Sequence, residues 1–491
     1  MNDTDDLLLV LDAGTTSTRA MLFGRDGRPR GVAQAELAQH YPAPGRVEHD
    51  AAEIRDRTIR CAREMVGKAG GAARIAGVGI TNQRETVVAW DRETGEPLSR
   101  AIVWQDRRTA ATCERLRREG AEPLVQARTG LLLDPYFSGT KMRWLLDNVP
   151  AVAEAARTGR LALGTVEAWL VFCLTGRFIT DASNASRTLL LALGGAEWDA
   201  ELCALFGVPV EALPRVADMV GDFGTTHHEL LDGGIAIRGL AGDQQAATIG
   251  QGCLAPGEVK ATYGTGAFVL ASTGEAQPRS GHRLLGTILT QADGKRSFAL
   301  EGSVFVAGSL IKWLRDTMGL VGSAQETARL AASVPDSGGV VLVPALSGFG
   351  APHWRPEARA ALTGMSFATT PAHVVRAALE AMAYQTHDLM TAFAADRAPW
   401  TSLRIDGGMA SNDWMAQDLA NMLGIPVERP LFVESTALGA GMLAAVGSDW
   451  FDALGDAAEA MRGAVHRFEP RIGEKERKSR LARWHEALGK V

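Results

Sequence analysis

The sequence predicts an α/β protein built in two halves, and three observations carry that reading. At 491 residues the chain is longer than a single hydrophobic core supports, so two domains are expected. Short apolar runs, each stopped by an acid, a glycine or a cluster of hydroxyls, alternate with longer stretches of helical period. That is the pattern of strands and helices sharing a sheet. A strand–turn–strand pattern with a Gly/Thr turn stands near the start of each half: LLLVLDAGTTSTRAMLF at residues 7–23, and GEVKATYGTGAFVLAS from Gly257. The division is expected between residues 1–252 and 253–491.

Composition narrows the function classes. A 46% hydrophobic content is that of an ordinary globular protein, and a net charge of −6 leaves no basic footprint for nucleic acid. The five cysteines are odd in number and scattered, with no Cys-x-x-Cys or Cys/His spacing that suggests zinc or a disulfide framework. The acidic start MNDTDD runs straight into a strand, unlike a signal peptide. No apolar run reaches the ~18 residues of a membrane span. A reducing cytoplasm is the expected setting.

The elements follow in order. In residues 7–23 two apolar runs flank a turn of Asp12, Gly14, Thr15, Thr16, Ser17 and Thr18, followed by Arg19. Gly14 is expected at positive φ, letting the backbone approach a ligand, and the amides and hydroxyls form a nest for an anion. Asp12 is placed to hold a metal ion, directly or through water. Asp50 caps a helix with Ile54, Thr58, Cys61 and Met65 on one face, ended at Gly67 or Gly70. A short buried strand over residues 75–83 delivers Arg84 and Glu85 at its carboxyl end, where α/β sheets bind ligands. AIVWQDRR brings Trp104 to another strand end. Asp134-Pro135-Tyr136 is a rigid corner presenting an aromatic, with a helix from Thr140. LALGTVEAWLVFCLTG reads as strand and helix, TDASNASRTLLL as a polar turn leading to a strand, and His227-His228 as loop bystanders. GLAGDQQAATIGQ ends a strand at Asp243 and opens a helix. EGSVFVAGSLIKWLRDTMG reads as a helix, and Thr370 with Pro371 starts another. LRIDGGMASNDW is strand, glycine turn and a helix start at Asn412. The basic segment GEKERKSRLARWHEALGK reads as a solvated surface helix.

Three glycine-bearing turns thus sit at strand ends: Gly14-Thr15-Thr16, Gly264-Thr265-Gly266 and Gly407-Gly408. Each alone is as well read as an ordinary loop; their order along two halves favours a polyphosphate gripped from both walls of a cleft. Phosphoryl transfer asks for that positioning, for charge neutralisation by Mg²⁺ and donors, and for a base on the attacking hydroxyl. There is no GxxxxGK[ST] and no HRD/DFG pair, so neither a P-loop nor a protein kinase is expected. The third turn, opening a helix at Asn412, suits an α-phosphate and ribose.

The motifs LDAGTTSTRA, YPAPGRVEHD, GITNQRET, AIVWQDRRTA, TGLLLDPYFSGTK, GTVEAWL, TDASNASRT, GLAGDQQAA, TYGTGAF, GSVFVAGSLIKWLRD, GAPHWRPEARA and IDGGMASNDW resemble those of the FGGY carbohydrate kinases, and among them the glycerol-phosphorylating members, over nearly the whole chain. The resemblance implies two ribonuclease-H-like domains of the actin/Hsp70/hexokinase type with a nucleotide cleft between them. It implies ATP-dependent phosphorylation of glycerol to sn-glycerol 3-phosphate, with Mg²⁺ and in a homo-oligomer (dimer or tetramer). By the same resemblance Arg84, Glu85, Tyr136, Asp243 and Gln244 hold the polyol hydroxyls, Trp104 and Phe268 wall its carbon backbone, and Asp243 is the general base. Asp12 lies near Mg²⁺. Thr15, Thr16, Ser17 and Arg19 form the phosphate hairpin, and Thr265, Gly308, Lys312, Gly408 and Asn412 line the nucleotide pocket.

The sequence departs from the family pattern at several points. Ala13 stands where glutamine is usual, Lys312 where glutamine often flanks the base, Glu167 for aspartate, and His353 and Arg355 for Tyr and Asp. The Gly-Lys-Gly-Gly loop tied to inhibition by fructose 1,6-bisphosphate is replaced by TTHHELLDGGIAIRG, so that inhibition is not expected. His227 and His228 do not align with the histidine phosphorylated in some relatives. A kinase for another small polyol or ketose, and a nucleotide-binding switch that has lost turnover, are the competing readings. The Arg84-Glu85 pair after Asn82-Gln83 argues against a ketopentose kinase, and the retained hydroxyl-binding set argues against a switch.

Overall fold

The structure is a computed structural model that describes residues 6–355, 357–432 and 434–491. The opening hairpin forms as expected, with Leu7–Ala13 antiparallel to Ser17–Phe23. Every residue of the first strand after Leu7 is buried, because the sheet is covered on both faces. The strand order is Ile237–Gly242, Ile75–Asn82, Leu7–Ala13, Ser17–Phe23, Pro29–Glu36, and the first three run parallel. Their register puts Gly242, Asn82 and Ala13 side by side at one edge. The residues that follow those three ends are Asp243, the Gln83-Arg84-Glu85 run and Gly14-Thr15. One sheet edge therefore gathers what lies far apart in sequence.

The second half repeats the plan. Glu258–Tyr263 is antiparallel to Ala267–Gly274 and parallel to Ser402–Asp406. The full order is Leu285–Ala292, Lys295–Val304, Ala267–Gly274, Glu258–Tyr263, Ser402–Asp406, Val427–Pro430, Val465–Phe468. The long helix Pro371–Ala395 begins with Thr370 and His373 in a reciprocal cap and buries Val375, Ala378, Leu379 and Met382. The halves also exchange packing. Helix Ser435–Gly447, rich in Ala and Gly, lies on the first sheet, where Ala437, Ala440 and Leu443 share a core with Leu8, Val10 and Phe23.

Several local expectations change. TDASNASRTLLL contains no strand after the turn. Instead Asp181 caps the four-residue helix Ala182–Ala185 by accepting from the Ser183 and Asn184 amides, which leaves Arg187 in the interior. EGSVFV is not helical: Lys295–Val304 is a strand paired on both sides, and the helix begins at Gly308. Two ladders outweigh a sequence whose local preference is ambiguous. The strand before Trp104 shrinks to Ala101–Ile102. The C-terminal helix Glu474–Leu488 is not a wholly solvated one. It buries Trp484 and Leu481, and Arg480 makes a two-pronged ion pair with Asp418 at 2.7 and 2.9 Å.

Candidate active site

At the end of Ile75–Asn82 the chain turns sharply. The Thr86 amide donates to the Arg84 carbonyl at 2.8 Å, closing a three-residue turn around Glu85, whose φ is 61°. A non-glycine residue in this region carries strain and persists only where its surroundings over-determine it. Here they do: the Glu85 carbonyl accepts from Ser138 Oγ at 3.2 Å and from the buried Lys141 Nζ at 3.4 Å. Lys141 also donates to the Tyr136 carbonyl at 2.6 Å, so one amine pins two walls of the site. Burial lowers Lys141 to about 7, against the pull of Glu85, Asp106 and Asp134.

The strained turn aims two side chains into a buried charge network. Arg84 Nη1 and Nη2 donate to the two Glu301 oxygens at 2.7 and 3.3 Å. Arg187 donates from Nη2 to Glu301 at 3.0 Å and from Nε to Glu85 at 2.7 Å. Arg84, Arg187, Glu85 and Glu301 are each at most 1% exposed at the side chain, and two Arg/Glu pairs balance their charge. Burial would raise Glu301, but Arg187 and Arg84 pull it down to about 2. Arg84 Nε lies 3.2 Å from Asp243 Oδ1 and makes no hydrogen bond, and Arg84 Nη2 lies 3.4 Å from the Tyr136 hydroxyl.

Asp243 is the first residue of helix Asp243–Gly250, and its Oδ1 accepts from the Gln244 amide at 2.7 Å. Its side chain stays 31% open. Burial pushes it up to about 6; Arg84 and Lys260 oppose the rise and Glu85 adds to it. A carboxylate poised there is ionised at neutral pH yet basic enough to take a proton. Beside it stands an aromatic wall: Trp104 meets Tyr136 edge to face at 5.6 Å and Phe268 at 6.4 Å. Phe268 lies on Ala267–Gly274, so this wall spans both halves.

The two hairpin turns differ from the sequence expectation in detail. The Gly14 amide donates to Ser17 O at 3.0 Å, and Gly14 is not at positive φ; a tight turn of ordinary backbone suffices. Thr15 Oγ1 accepts from Trp104 Nε1 at 3.0 Å, and the Gln83 amide bonds the Gly14 carbonyl at 3.1 Å, so the turn is tied to the aromatic wall and to the neighbouring strand end. Thr16 is exposed, and Ser17 Oγ accepts from Gln34 at 3.1 Å. Arg19 spans Asp12 at 2.5 Å and Glu434 at 2.6 Å, bridging the halves. Burial raises Asp12 although Arg19 opposes it.

On the other wall the Thr265 carbonyl accepts from the Ala307 and Ser309 amides, and the Gly264 carbonyl from Gly308 N at 2.8 Å. A Cβ on Gly308 would stand 2.5 Å from Gly264 O, so the turn docks on this helix start only because residue 308 is glycine. Gly407, at φ 86°, brings the third turn equally close to Tyr263. Gly408 opens a single 3₁₀ turn and faces open space. Asn412 caps helix Asp413–Leu423 and donates to Thr327 at 3.0 Å, so its amide braces the wall. Lys312 is exposed on helix Gly308–Asp316.

Four residues of the site were not singled out from sequence: Arg187, Glu301, Lys260 and Lys141. Lys260, between Val259 and Ala261, and Glu301, after Phe298-Ala299-Leu300, share a readable signal, a charge beside apolar strand neighbours. The other two depend on the turn at Asp181 and on the corner at Tyr136. Among the described residues no cluster of three His, Cys, Asp or Glu side chains could hold a metal.

Known proteins match this architecture closely. The model of the FGGY family of carbohydrate kinases, N-terminal domain, matches residues 7–250, and that of its C-terminal domain matches residues 259–448. The chain is 52% identical to glycerol kinase of Aromatoleum aromaticum over 98% of both chains. It is 51% identical to glycerol kinase of Alcanivorax borkumensis over 99% of this chain and 98% of the relative. Among solved structures, Plasmodium falciparum glycerol kinase with ADP superposes with a TM-score of 0.95 at 33% identity, covering 99% and 98% of the two chains. Xylulose kinase from Lactobacillus acidophilus shares the fold, with a TM-score of 0.87 at 20% identity over 99% and 98%.

Proposed function

Because the chain belongs to the FGGY family of carbohydrate kinases, we propose that it transfers the γ-phosphoryl group of ATP to a terminal hydroxyl of glycerol, giving sn-glycerol 3-phosphate and ADP. One observation supports this most: Arg84, Glu85, Tyr136 and Asp243 converge beside the Trp104–Phe268 wall, several hydroxyl partners against one apolar face. A triol with a C–H side needs both.

In this reading Asp243 takes the proton from the attacking hydroxyl as its oxygen approaches phosphorus. Arg84 and Glu85 hold the hydroxyls, and the aromatic wall keeps water from competing as acceptor. The first hairpin and Arg19 grip the transferring phosphate. Gly264-Thr265, Gly308 and Gly408 present backbone to the rest of the nucleotide. Mg²⁺ fits the donor set, since it takes one or two carboxylates with phosphate oxygens and water rather than an all-protein cage. Asp12, with one oxygen on Arg19, would hold it. When bound, it supplies neutralisation of phosphate charge. A dimer or tetramer in the cytoplasm belongs to the same proposal; no helix among the described residues is long and apolar enough to cross a membrane.

The test is Asp243→Asn. Turnover should fall by about 10³-fold while ATP still binds in calorimetry; a near-normal rate would remove Asp243 as the base. In the unmodified enzyme kcat/KM should drop about tenfold per pH unit below about 6, as Asp243 protonates. A panel of glycerol, dihydroxyacetone, erythritol and xylulose, read by ADP release, should favour glycerol; a preference for a pentose would overturn the substrate assignment.

A further inference from the structure

Lys260 has no role in the reading above, yet it is fully buried beside the candidate base. It projects from Glu258–Tyr263 in the second half and reaches the first residues of helix Asp243–Gly250 in the first. Its Nζ donates to Gln244 Oε1 at 2.7 Å and to Thr262 Oγ1 at 3.0 Å. An ammonium has donors only, so it selects the amide orientation of Gln244. The oxygen faces Lys260, and the NH₂ is the end left for a ligand. A charge buried this deeply persists only among compensating charges. Burial lowers Lys260 from the usual amine range; the carboxylates Asp406, Asp243 and Glu301 oppose that fall, and the like charge of Arg84 adds to it. Asp406 lies beside Thr262 on the neighbouring strand, and its Oδ1 is buried without a hydrogen-bond partner.

We propose that Lys260 is a positioning residue for the phosphoryl transfer. Its ammonium fixes the Gln244 carboxamide as a donor toward the polyol, and it holds a positive charge behind Asp243 that keeps the base ionised. The groups facing Asp243 are Arg84 and Glu85 at the neighbouring strand end and Lys260 from the opposite half, with Glu301 joined through Arg84. Lys260 is the one cation in this set that the carboxylates Glu85 and Glu301 do not already engage through ion pairs.

This inference rests on Asp243 being the base, and the experiment separates the two. Lys260→Met, Lys260→Gln and Lys260→Arg are compared with the unmodified enzyme at saturating Mg·ATP, with kcat/KM for glycerol followed against pH. Nucleotide titration is common to all four and cancels in the comparison. Losing the charge should move the acid limb up by roughly half to one pH unit in the Met and Gln variants, while Arg retains it. KM for glycerol should rise several-fold in Lys260→Met and less in Lys260→Gln, whose amide can still donate to Gln244. Should the neutral variants unfold, Lys260→Met/Asp406→Asn removes the buried lysine together with the carboxylate that most favours its charge and carries the same pH measurement. An acid limb that stays in place in a folded neutral variant overturns the proposal while leaving Asp243 intact. Normal turnover in Asp243→Asn instead removes the reading on which it rests.

Discussion

The two walls of the cleft are made of different material. The wall proposed to hold the polyol is built from side chains: Arg84, Glu85, Arg187 and Glu301 are almost fully buried and interlocked, and Trp104, Tyr136 and Phe268 close round them. The wall proposed to hold the nucleotide is built from backbone, with the Gly264 and Thr265 carbonyls on the Gly308 helix and Gly407 folded against Tyr263. A side-chain wall recognises one arrangement of hydroxyls. A backbone wall offers a shape that any nucleoside polyphosphate of the right length can use. Acceptor recognition is thus expected from side chains that both halves contribute, Glu301 and Phe268 from the second, and donor binding from the backbone of the second half.

Substitutions should respect that division. The largest effect is expected for Glu301→Gln, which leaves Arg84 and Arg187 sharing a neutral partner in the interior. Stability should fall by about 3–5 kcal/mol and glycerol binding should be lost. Denaturant melts and calorimetry check this, and a variant that keeps wild-type stability would mean that the network is ornamental. The same carboxylate gives a pH dependence with a definite sign. Its folded pKa is depressed to about 2, below the ~4.3 of the unfolded chain. Its contribution is therefore complete above that unfolded value and is lost as pH falls from about 5 toward 2. Gly308→Ala is the complementary probe. The added Cβ must push the Gly264 turn away, so KM for ATP should rise about tenfold while glycerol affinity stays within twofold. Equal losses for both ligands would erase the distinction between the walls. The smallest effect is expected where the aromatic side chains meet the first hairpin turn. Trp104→Phe deletes the hydrogen bond to Thr15 and keeps most of the aromatic surface. A loss of about 1 kcal/mol, several-fold in kcat more than in KM, is expected from steady-state kinetics.

The same contrast governs what was legible in the sequence. The hairpins, the Asp50-capped helix, the Thr370 helix start and the strand ends at Arg84 and Asp243 were readable, because turn chemistry and hydrophobic period are local. Arg84, Glu85, Tyr136 and Asp243 could be gathered because each follows a strand or a rigid corner. Arg187 and Glu301 could not. Their meaning lies in partners 102 and 217 residues away, and the segments carrying them were misread as a strand and a helix. Gly14 taught a smaller lesson: the glycine that looked indispensable for left-handed backbone uses none, whereas Glu85 does.

Helix Ser435–Gly447 bears on how the chain comes to be folded at all. It supplies one face of the core against Leu8, Val10 and Phe23, in strands that are synthesised long before it. The N-terminal sheet is thus made early and covered late, after more than 400 further residues have been synthesised. During that interval an apolar sheet face waits without its partner, which makes the nascent chain a natural client for chaperones. A fragment ending at residue 252 keeps Arg84, Glu85, Tyr136 and Asp243 and should still be recovered as aggregate. Supplying residues 253–491 in trans, with that helix, is the way to bring it into solution.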